Sequence, residues 1–218
     1  MTGAAERRQR VIDAIAKAAR LASREPTDVE LIAVSKLRSS EAIEELIGAG
    51  QRSFGESRVQ EALAKWPGLR SRYPDISLQC IGRLQSNKAA EAVALFDAIH
   101  SLDRASLLEA LVREAEKAGR FPSVYVQVNI GDEEQKGGCP IGEVGDLVAA
   151  VRASPLPLAG LMAIPPLGPE PAPFFALLAE LARRHGVTGL SMGMSADYEA
   201  AVMLGATAVR VGTALFED

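Results

Sequence analysis

Apolar positions along this chain form two kinds of segment: segments with helical periodicity and short continuous apolar runs. The two kinds alternate along the chain. Residues 4–23 have apolar side chains at helical spacing, which predicts an amphipathic helix. Short apolar runs follow, each succeeded by a segment of helical periodicity. The runs predict strands at 29–36, 52–56, 76–82, 98–103, 123–130, 157–164, 189–194 and 208–216. The segments between them predict helices at 40–50, 59–65, 87–96, 104–119, 141–153, 173–185 and 197–206.

This alternation predicts an α/β fold with a parallel sheet, because parallel strands need a crossover connection between them. Several runs are apolar almost end to end, as strands covered on both faces are. Eight units favour a single (β/α)8 TIM barrel over residues 1–218, with an extra N-terminal helix. No helix is expected after the eighth strand, so the first helix is expected to cover that part of the barrel. An open, doubly wound sheet is the alternative.

Composition narrows the choice of function. The chain has 218 residues, of which 48% are hydrophobic and 24% charged, as in ordinary globular proteins. The net charge of -4 and the dispersed basic residues argue against nucleic acid as a partner. No signal peptide and no apolar run of membrane-spanning length is found, so we predict a cytoplasmic protein without a membrane partner. No exposed apolar stripe indicates a dimer, so a monomer is predicted.

The two cysteines, Cys80 and Cys139, lie far apart in the sequence, without a CxxC motif or a nearby histidine cluster. This spacing does not match a structural zinc site, for which ligands come in close pairs. We therefore expect two free thiols in a reducing compartment and no metal site.

Lys36 raises the first chemical question, because it follows directly on the apolar strand of "ELIAVSKL". A lysine at the edge of a core most often extends into water. A lysine with a buried stem is, in contrast, an amine suited to capture a carbonyl group. This stretch alone favours the first interpretation.

The last quarter of the chain predicts a phosphate pocket. Ser195 follows strand seven and is expected to cap the next helix, while Gly212 and Thr213 lie in strand eight. A glycine allows close backbone approach, and hydroxyls together with free amide groups bind anions. In TIM barrels the loops after strands seven and eight are the usual phosphate site. The two segments therefore point to the same pocket.

Arg210 lies among apolar neighbours in strand eight, where a guanidinium either pairs with a carboxylate or faces a ligand. Strands one and eight are neighbours in a barrel, so Lys36 is expected at the same face as the phosphate pocket. An amine, a phosphate anchor and an arginine around one pocket suit pyridoxal 5'-phosphate (PLP), whose aldehyde reacts with a lysine.

The sequence resembles a known family, the PLP-binding homeostasis proteins. The fold of this family is similar to that of the alanine racemase N-terminal domain (PLP fold type III). The segments that carry the resemblance extend over nearly the whole chain: LIAVSK (31–36), FGESRVQEAL (54–63), IGRLQSNK (81–88), IHSLDR (99–104), VNIGDEEQKGG (128–138), GLMAIPP (160–166), LSMGMSAD (190–197) and VRVGTALF (209–216). The pair LSMGMSAD and VRVGT is highly specific.

The resemblance implies roles for individual residues. Lys36 would carry PLP as a Schiff base. Ser195 and Thr213 would contact the phosphate, helped by the backbone around Met194 and Gly212. Arg210 would face the pyridine nitrogen, and because an arginine stays protonated it would weaken the ring as an electron sink. The implied role is intracellular PLP (vitamin B6) homeostasis without catalytic residues, with PLP-dependent apoenzymes as partners.

The sequence departs from the family pattern in three places. Ser57 and Arg58 stand where the family usually has asparagine and tyrosine, and Gln79 and Cys80 stand where histidine and phenylalanine are common. The final residues, 216–218, lack the usual glycine and arginine. These departures concern the wall opposite the ring and the C-terminus, and leave Lys36 and the phosphate residues unchanged.

Two other functions remain open on the sequence alone. A PLP-dependent amino-acid racemase needs a second acid–base group opposite the lysine, commonly a tyrosine. The three tyrosines are Tyr73, in a loop, Tyr125, expected at the far end of strand five, and Tyr198, expected to point outward. An aldolase-like enzyme acting on a phosphorylated sugar is the third hypothesis, but it does not explain why Arg210 lies beside the phosphate pocket.

Overall fold

A computed structural model describes residues 3–217 and shows eight parallel strands that close into a barrel. The strands are β1 (Glu30–Val34), β2 (Ser53–Glu56), β3 (Ser77–Cys80), β4 (Ala98–Leu102), β5 (Ser123–Val128), β6 (Leu158–Ala163), β7 (Leu190–Met194) and β8 (Ala208–Val211). Each strand pairs with its neighbours in the sequence, and β8 pairs with β1. The predicted TIM barrel is therefore confirmed, and the open sheet is excluded because the β1–β8 pairing closes the sheet.

Helices lie between the strands as predicted. They are α1 (Ala4–Leu21), α2 (Ser40–Gly48), α3 (Val59–Arg72), α4 (Ala89–Leu95), α5 (Ala105–Ala118), α6 (Val144–Arg152), α7 (Ala172–Arg184), α8 (Tyr198–Met203) and α9 (Thr213–Phe216). Short 3-10 turns at Pro26–Asp28, Ser86–Lys88 and Ile141–Glu143 precede β1, α4 and α6. Within residues 3–217, no helix combines the length and the apolar character that crossing a bilayer requires.

The apolar core lies between the outer face of the barrel and the helices. Phe54 of β2 packs against Trp66 of α3 with a distance of 5.2 Å between the ring centroids, and both side chains are fully buried. Cys80 and Cys139 are free and buried, and burial raises the pKa of each thiol to about 12. Apolar side chains thus pack the helices against the outer face of the barrel.

The end of the chain differs from the prediction. The predicted strand 208–216 is too long, because β8 ends at Val211 and the short helix α9 follows, contrary to the expectation that no helix comes after strand eight. The extended backbone ends at Gly212, where ψ is -81°. The predicted position of α1 is correct, since it packs against α8 and α9 and its Arg7 Nε donates to the Leu215 carbonyl at 2.9 Å.

Candidate functional site

The carboxyl ends of three neighbouring strands, β7, β8 and β1, bring the predicted site residues together. Lys36 follows β1, Met194 ends β7 and precedes Ser195, Arg210 lies within β8, and Gly212 and Thr213 follow it. A Cβ added to Gly212 would lie 3.5 Å from Cβ of Val34, the last residue of β1. The loop after β8 therefore lies against the end of the strand that leads to Lys36.

Lys36 is exposed in a turn at the carboxyl end of β1. The Arg38 N–H donates to the Ser35 carbonyl at 3.1 Å, which closes a four-residue turn with Lys36 at its second position. The stem of the lysine is therefore not buried, unlike that of the carbonyl-capturing lysine considered from the sequence. The amine is accessible from solvent, and it stands on a backbone that is hydrogen-bonded on both sides.

Ser195 connects the ends of β7 and β8 and does not cap a helix. Its Oγ accepts a hydrogen bond from the Gly212 N–H at 3.2 Å. The predicted capping role is wrong because α8 begins only at Tyr198, with Asp197 as the residue before it. Asp197 Oδ1 instead accepts from the Met194 N–H at 2.6 Å. The loop after β7 is thus held in place by side chains, and the Ser195 hydroxyl proton is left to donate elsewhere.

Arg210 is a buried cation with neutral partners. Its Nη1 donates to Ser191 Oγ at 2.5 Å, and its Nη2 donates to the Ala163 carbonyl at 3.0 Å. No carboxylate of the described residues forms a salt bridge with it. Burial lowers the pKa of Arg210 to about 10, although Asp197 and Tyr125 act in the opposite direction. The guanidinium therefore stays charged near neutral pH, in a place where an acceptor or an anion would stabilise it.

A chain of hydrogen-bonded polar side chains, which was not predicted from the sequence, lies inside the barrel. Ser191 Oγ lies 2.8 Å from His100 Nδ1, and His100 Nε2 lies 2.5 Å from Gln79 Oε1. Burial, followed by the charge of Arg210, lowers the pKa of His100 well below its usual value. Gln79, noted from the sequence only as a departure from the family, is part of this chain. Polar residues in the otherwise apolar strands β3, β4 and β7 were the sequence signal that could have indicated this chain.

Tyr125 also lies inside the barrel, in contact with this chain. Its ring stacks on His100 with centroids 4.1 Å apart. Burial raises the pKa of Tyr125 to about 12, with a further contribution from Glu30 and an opposing one from Arg210. Tyr125 therefore packs against the polar chain that contacts Arg210.

Strand β7 contains a bulge next to the site residues. Ser191 pairs with Ala208 and Met194 with Arg210, so β7 has one residue more than β8 between these two pairs. Gly193 lies in this interval with a φ of 90°, and an added Cβ would come within 2.5 Å of Ala201 Cβ. Bulges redirect side chains next to functional sites. A glycine inside a strand was the sequence signal for it.

Comparisons with known proteins show the family to which the chain belongs. The family model for the N-terminal domain of alanine racemase matches residues 11–218. A protein of Synechocystis sp., named pyridoxal phosphate homeostasis protein, is 42% identical over 203 residues, which cover 88% of this chain and 93% of the relative. A protein of the same name from Pseudomonas aeruginosa is 41% identical over 225 residues, covering 99% of this chain and 96% of the relative.

The chain belongs to the alanine racemase N-terminal domain family. The resemblance noted from the sequence motifs is confirmed by the identity to the homeostasis proteins over nearly the whole length. Among solved structures, PipY of Synechococcus elongatus with PLP bound is 42% identical, has a TM-score of 0.80, and covers 93% of this chain and 99% of its own.

The chain shares its barrel fold with part of a larger enzyme of known structure. The alanine racemase of Streptomyces coelicolor has a TM-score of 0.67 at 22% identity, and the match covers 94% of this chain but only 56% of the racemase. This likeness is one of fold.

Proposed function

We propose that this protein binds PLP at the carboxyl ends of β7, β8 and β1, carries it covalently on Lys36, and acts in intracellular PLP homeostasis rather than in turnover. The observation that carries the proposal is the convergence of Lys36, Ser195 and Arg210 on three adjacent strand ends. It is supported by the relatives named pyridoxal phosphate homeostasis protein and by PipY, solved with PLP bound.

The residues present fit the chemistry of the cofactor at its ring. Arg210 is buried and has only neutral hydrogen-bond partners, Ser191 Oγ and the Ala163 carbonyl. The lone pair of the pyridine nitrogen can accept a hydrogen bond from a guanidinium N–H. Because Arg210 remains charged, the guanidinium cannot take up a proton from the ring. We propose that Arg210 holds this nitrogen unprotonated.

The phosphate end is proposed at the loops after β7 and β8. Thr213 is exposed directly after Gly212, and Ser195 is joined to Gly212 by the hydrogen bond described above. The two hydroxyls supply neutral donors for a phosphate, and hydrogen bonds to a charged acceptor of this kind are the stronger ones. The N–H groups of Met194 and Gly212 donate to Asp197 and Ser195, and their backbone thereby holds the two loops around the proposed phosphate position. This arrangement matches the usual phosphate position in TIM barrels.

PLP supplies an aldehyde that condenses reversibly with an amine and, in enzymes, an electron sink. The contribution of this chain is the Lys36 amine, which forms a carbon–nitrogen double bond with the aldehyde carbon and releases one water molecule. Because Lys36 is exposed, water can reach this bond and reverse the reaction. A carrier needs this reversibility, since the cofactor must be released again.

A racemase is disfavoured by the positions of the tyrosines. Tyr125 is stacked against His100 inside the barrel, and its pKa is raised to about 12 by burial first of all. Burial also raises the pKa of Tyr198, which lies on α8. A residue that exchanges protons near neutral pH needs a pKa close to that range. Neither of these two tyrosines meets this requirement. Tyr73 lies between the end of α3 and the start of β3, at the end of the barrel opposite Lys36. We therefore propose a carrier role.

The proposal extends to the protein as a whole. We propose that residues 1–218 act as one PLP-binding domain, as a monomer in the cytoplasm, and that PLP-dependent apoenzymes receive the cofactor from it. The exposure of Lys36 supports this transfer, because a partner can reach the amine without a rearrangement of the barrel.

The first test is the absorbance spectrum after addition of PLP to the purified protein, measured beside the Lys36→Ala variant. We expect a yellow band in the wild type that borohydride reduction fixes on the peptide containing Lys36, and no such band in the variant. Lys17→Ala, on α1, is the control and should keep the band. Absence of the band from the wild type would refute the proposal. Rapid racemisation of alanine by the loaded protein would replace the carrier role with the racemase.

A further inference from the structure

The turn that presents Lys36 has an unusual backbone. Ser35 and Arg38 close it by a hydrogen bond of 3.1 Å, and Leu37, its third residue, has a φ of 59°. A positive φ at this position is characteristic of a type II turn, where glycine or asparagine is preferred. Leucine in the left-handed region costs about 1–2 kcal/mol. The Leu37 side chain is 82% exposed, so its own packing does not offset this cost.

Glu61 of α3 binds the strained residue. Its Oε1 accepts a hydrogen bond from the Leu37 N–H at 2.5 Å. Burial acts to raise the pKa of Glu61, but the Leu37 N–H, Lys65 and Arg58 together bring it below its usual value. The carboxylate is therefore charged near neutral pH, and a hydrogen bond to a charged acceptor is stronger than one between neutral groups.

Lys65, one helical turn after Glu61, binds the same turn through its carbonyl groups. Its Nζ donates to the carbonyl of Ser35 at 2.9 Å and to that of Arg38 at 3.4 Å. The ammonium group also pairs with Glu61 at 3.1 Å and with the fully buried Glu56 at 2.9 Å. Glu56 in turn accepts from Ser35 Oγ at 2.7 Å. Three charged side chains from β2 and α3 thus hold the residues on both sides of Lys36.

We propose that Glu61, supported by Lys65 and Glu56, is a positioning residue for Lys36. It keeps Leu37 in the left-handed conformation and so fixes the place from which the amine reaches its partner. Without Glu61 the turn relaxes to an unstrained backbone, and binding at Lys36 must then restore the productive turn. This inference rests on the proposed function, because it assigns Lys36 as the residue that carries PLP.

The first readout needs no cofactor. Hydrogen exchange of the Leu37 backbone amide, measured by NMR on the protein without PLP, reports its hydrogen bond to Glu61. We expect Glu61→Ala to accelerate this exchange by about tenfold or more. Glu61→Gln retains an acceptor oxygen, so we expect a change of less than about threefold.

Glu114→Ala is the matched control. Glu114 lies on α5, its side chain is 18% exposed against 25% for Glu61, and it pairs with a lysine on its own helix in the same manner. We expect this variant to leave Leu37 exchange unchanged. Thermal unfolding of all variants verifies that each is folded.

The second readout is the dissociation constant for PLP. We expect Glu61→Ala to raise it about fivefold or more, because the competent turn is less populated, while Glu61→Gln restores affinity to within about twofold. In the Lys36→Ala background, Glu61→Ala should cause no further loss in the residual binding of PLP. A merely structural residue would weaken both backgrounds equally.

The outcomes separate the two proposals. If the wild type takes up no PLP, the proposed function fails, and Leu37 exchange alone decides whether Glu61 holds the turn. The inference is overturned if the Leu37 amide exchanges equally in Glu61→Ala and Glu114→Ala. It is also overturned if exchange accelerates in Glu61→Ala while PLP binds with unchanged affinity.

Discussion

The hydroxyl of Ser191 lies between Arg210 and His100, 2.5 Å from Nη1 of the arginine and 2.8 Å from Nδ1 of the histidine. An arginine can only donate, so the hydroxyl accepts from Arg210. Burial and the charge of Arg210 lower the pKa of His100, which is therefore neutral, and its proton lies on Nε2 because the Gln79 side-chain oxygen can only accept. Nδ1 of His100 is then an acceptor, and the Ser191 hydroxyl donates its proton to it.

The chain of hydrogen bonds continues to the opposite end of the barrel. Gln79 Nε2 donates to Ser53 Oγ at 2.6 Å and to Glu30 Oε1 at 2.8 Å. Glu30 begins β1, six residues before Lys36. A buried polar network is stable only when its members are satisfied. The guanidinium that we propose to face PLP is therefore oriented by residues extending through the whole interior.

Removing the Ser191 hydroxyl should destabilise the fold. Ser191→Ala leaves Nη1 of Arg210 and Nδ1 of His100 without their partner in a buried site, so we expect the free energy of unfolding to fall by about 1–3 kcal/mol. Urea denaturation followed by circular dichroism measures the change. Ser106→Ala, at an exposed position of α5, serves as the control and should change stability by less than about 0.5 kcal/mol. Equal stability of the two variants would contradict the network.

His100 should make stability depend on pH. Burial first, and the charge of Arg210 second, lower its pKa in the folded state well below 6.5, so the unfolded chain binds a proton that the folded protein excludes. The stabilisation is therefore complete above about pH 6.5 and is lost as the pH falls below it, by about 1 kcal/mol per pH unit. Urea denaturation between pH 7.5 and 5.5 measures the slope.

The matched variants for this pH dependence are His100→Gln and His185→Gln. His100→Gln should flatten the slope, since no group at this position then titrates, whereas His185→Gln, at the end of α7, should retain it. An unchanged slope in His100→Gln would show that another group is responsible.

Gly193 should tolerate no side chain. Its φ of 90° is strained for any other residue, and an alanine Cβ would lie 2.5 Å from Ala201 Cβ. We expect Gly193→Ala to lower the free energy of unfolding by about 3 kcal/mol, from strain and overpacking together. Gly119→Ala isolates the first effect, because Gly119 has a φ of 63° but open space around it; here we expect about 1 kcal/mol. Similar losses in both variants would mean that the contact with α8 relaxes freely.

Thr213 should distinguish the phosphate from the rest of PLP. Thr213→Val removes the proposed donor at nearly constant volume, and losing a hydrogen bond to a charged group should raise the dissociation constant for PLP about tenfold. Pyridoxal, which lacks the phosphate, should bind the variant and the wild type equally. Thr27→Val, in the turn before β1, is the control. An equal loss of pyridoxal binding would show that Thr213 does not act through the phosphate.

Most of the fold was predictable because the barrel depends on the order of apolar segments. The exceptions have local causes. Helix α3 continues to Arg72, beyond the predicted end at residue 65, although Pro67 lies inside it. The carbonyl that loses its helical donor at Pro67 is that of Leu63, which lies on the exposed side. Strand β8 ends at Val211, earlier than predicted, because the backbone turns at Gly212. Such ends depend on solvation and on tertiary contacts that apolar periodicity does not record.

The site was predictable only in part, for the same reason. Lys36 and Ser195 could be assigned to strand ends from the sequence, and their roles toward PLP remain predictions. The link between Ser191 and His100 could not be found, because these residues are far apart in the sequence, on β7 and β4, and meet only inside the closed barrel. Sequence patterns show which face of a strand is apolar, but not which polar groups meet inside a closed sheet.

The hydrogen bond from Arg7 to the Leu215 carbonyl joins the first helix to the last. It places the two ends of the described chain side by side, next to the seam between β1 and β8. The barrel is therefore a ring in which the seam is one junction among eight, closed by the hydrogen-bonded pairing of β1 with β8 and not by a covalent loop. A circular permutant with a short linker between these ends, and new termini near the exposed Leu167, preserves every strand pairing.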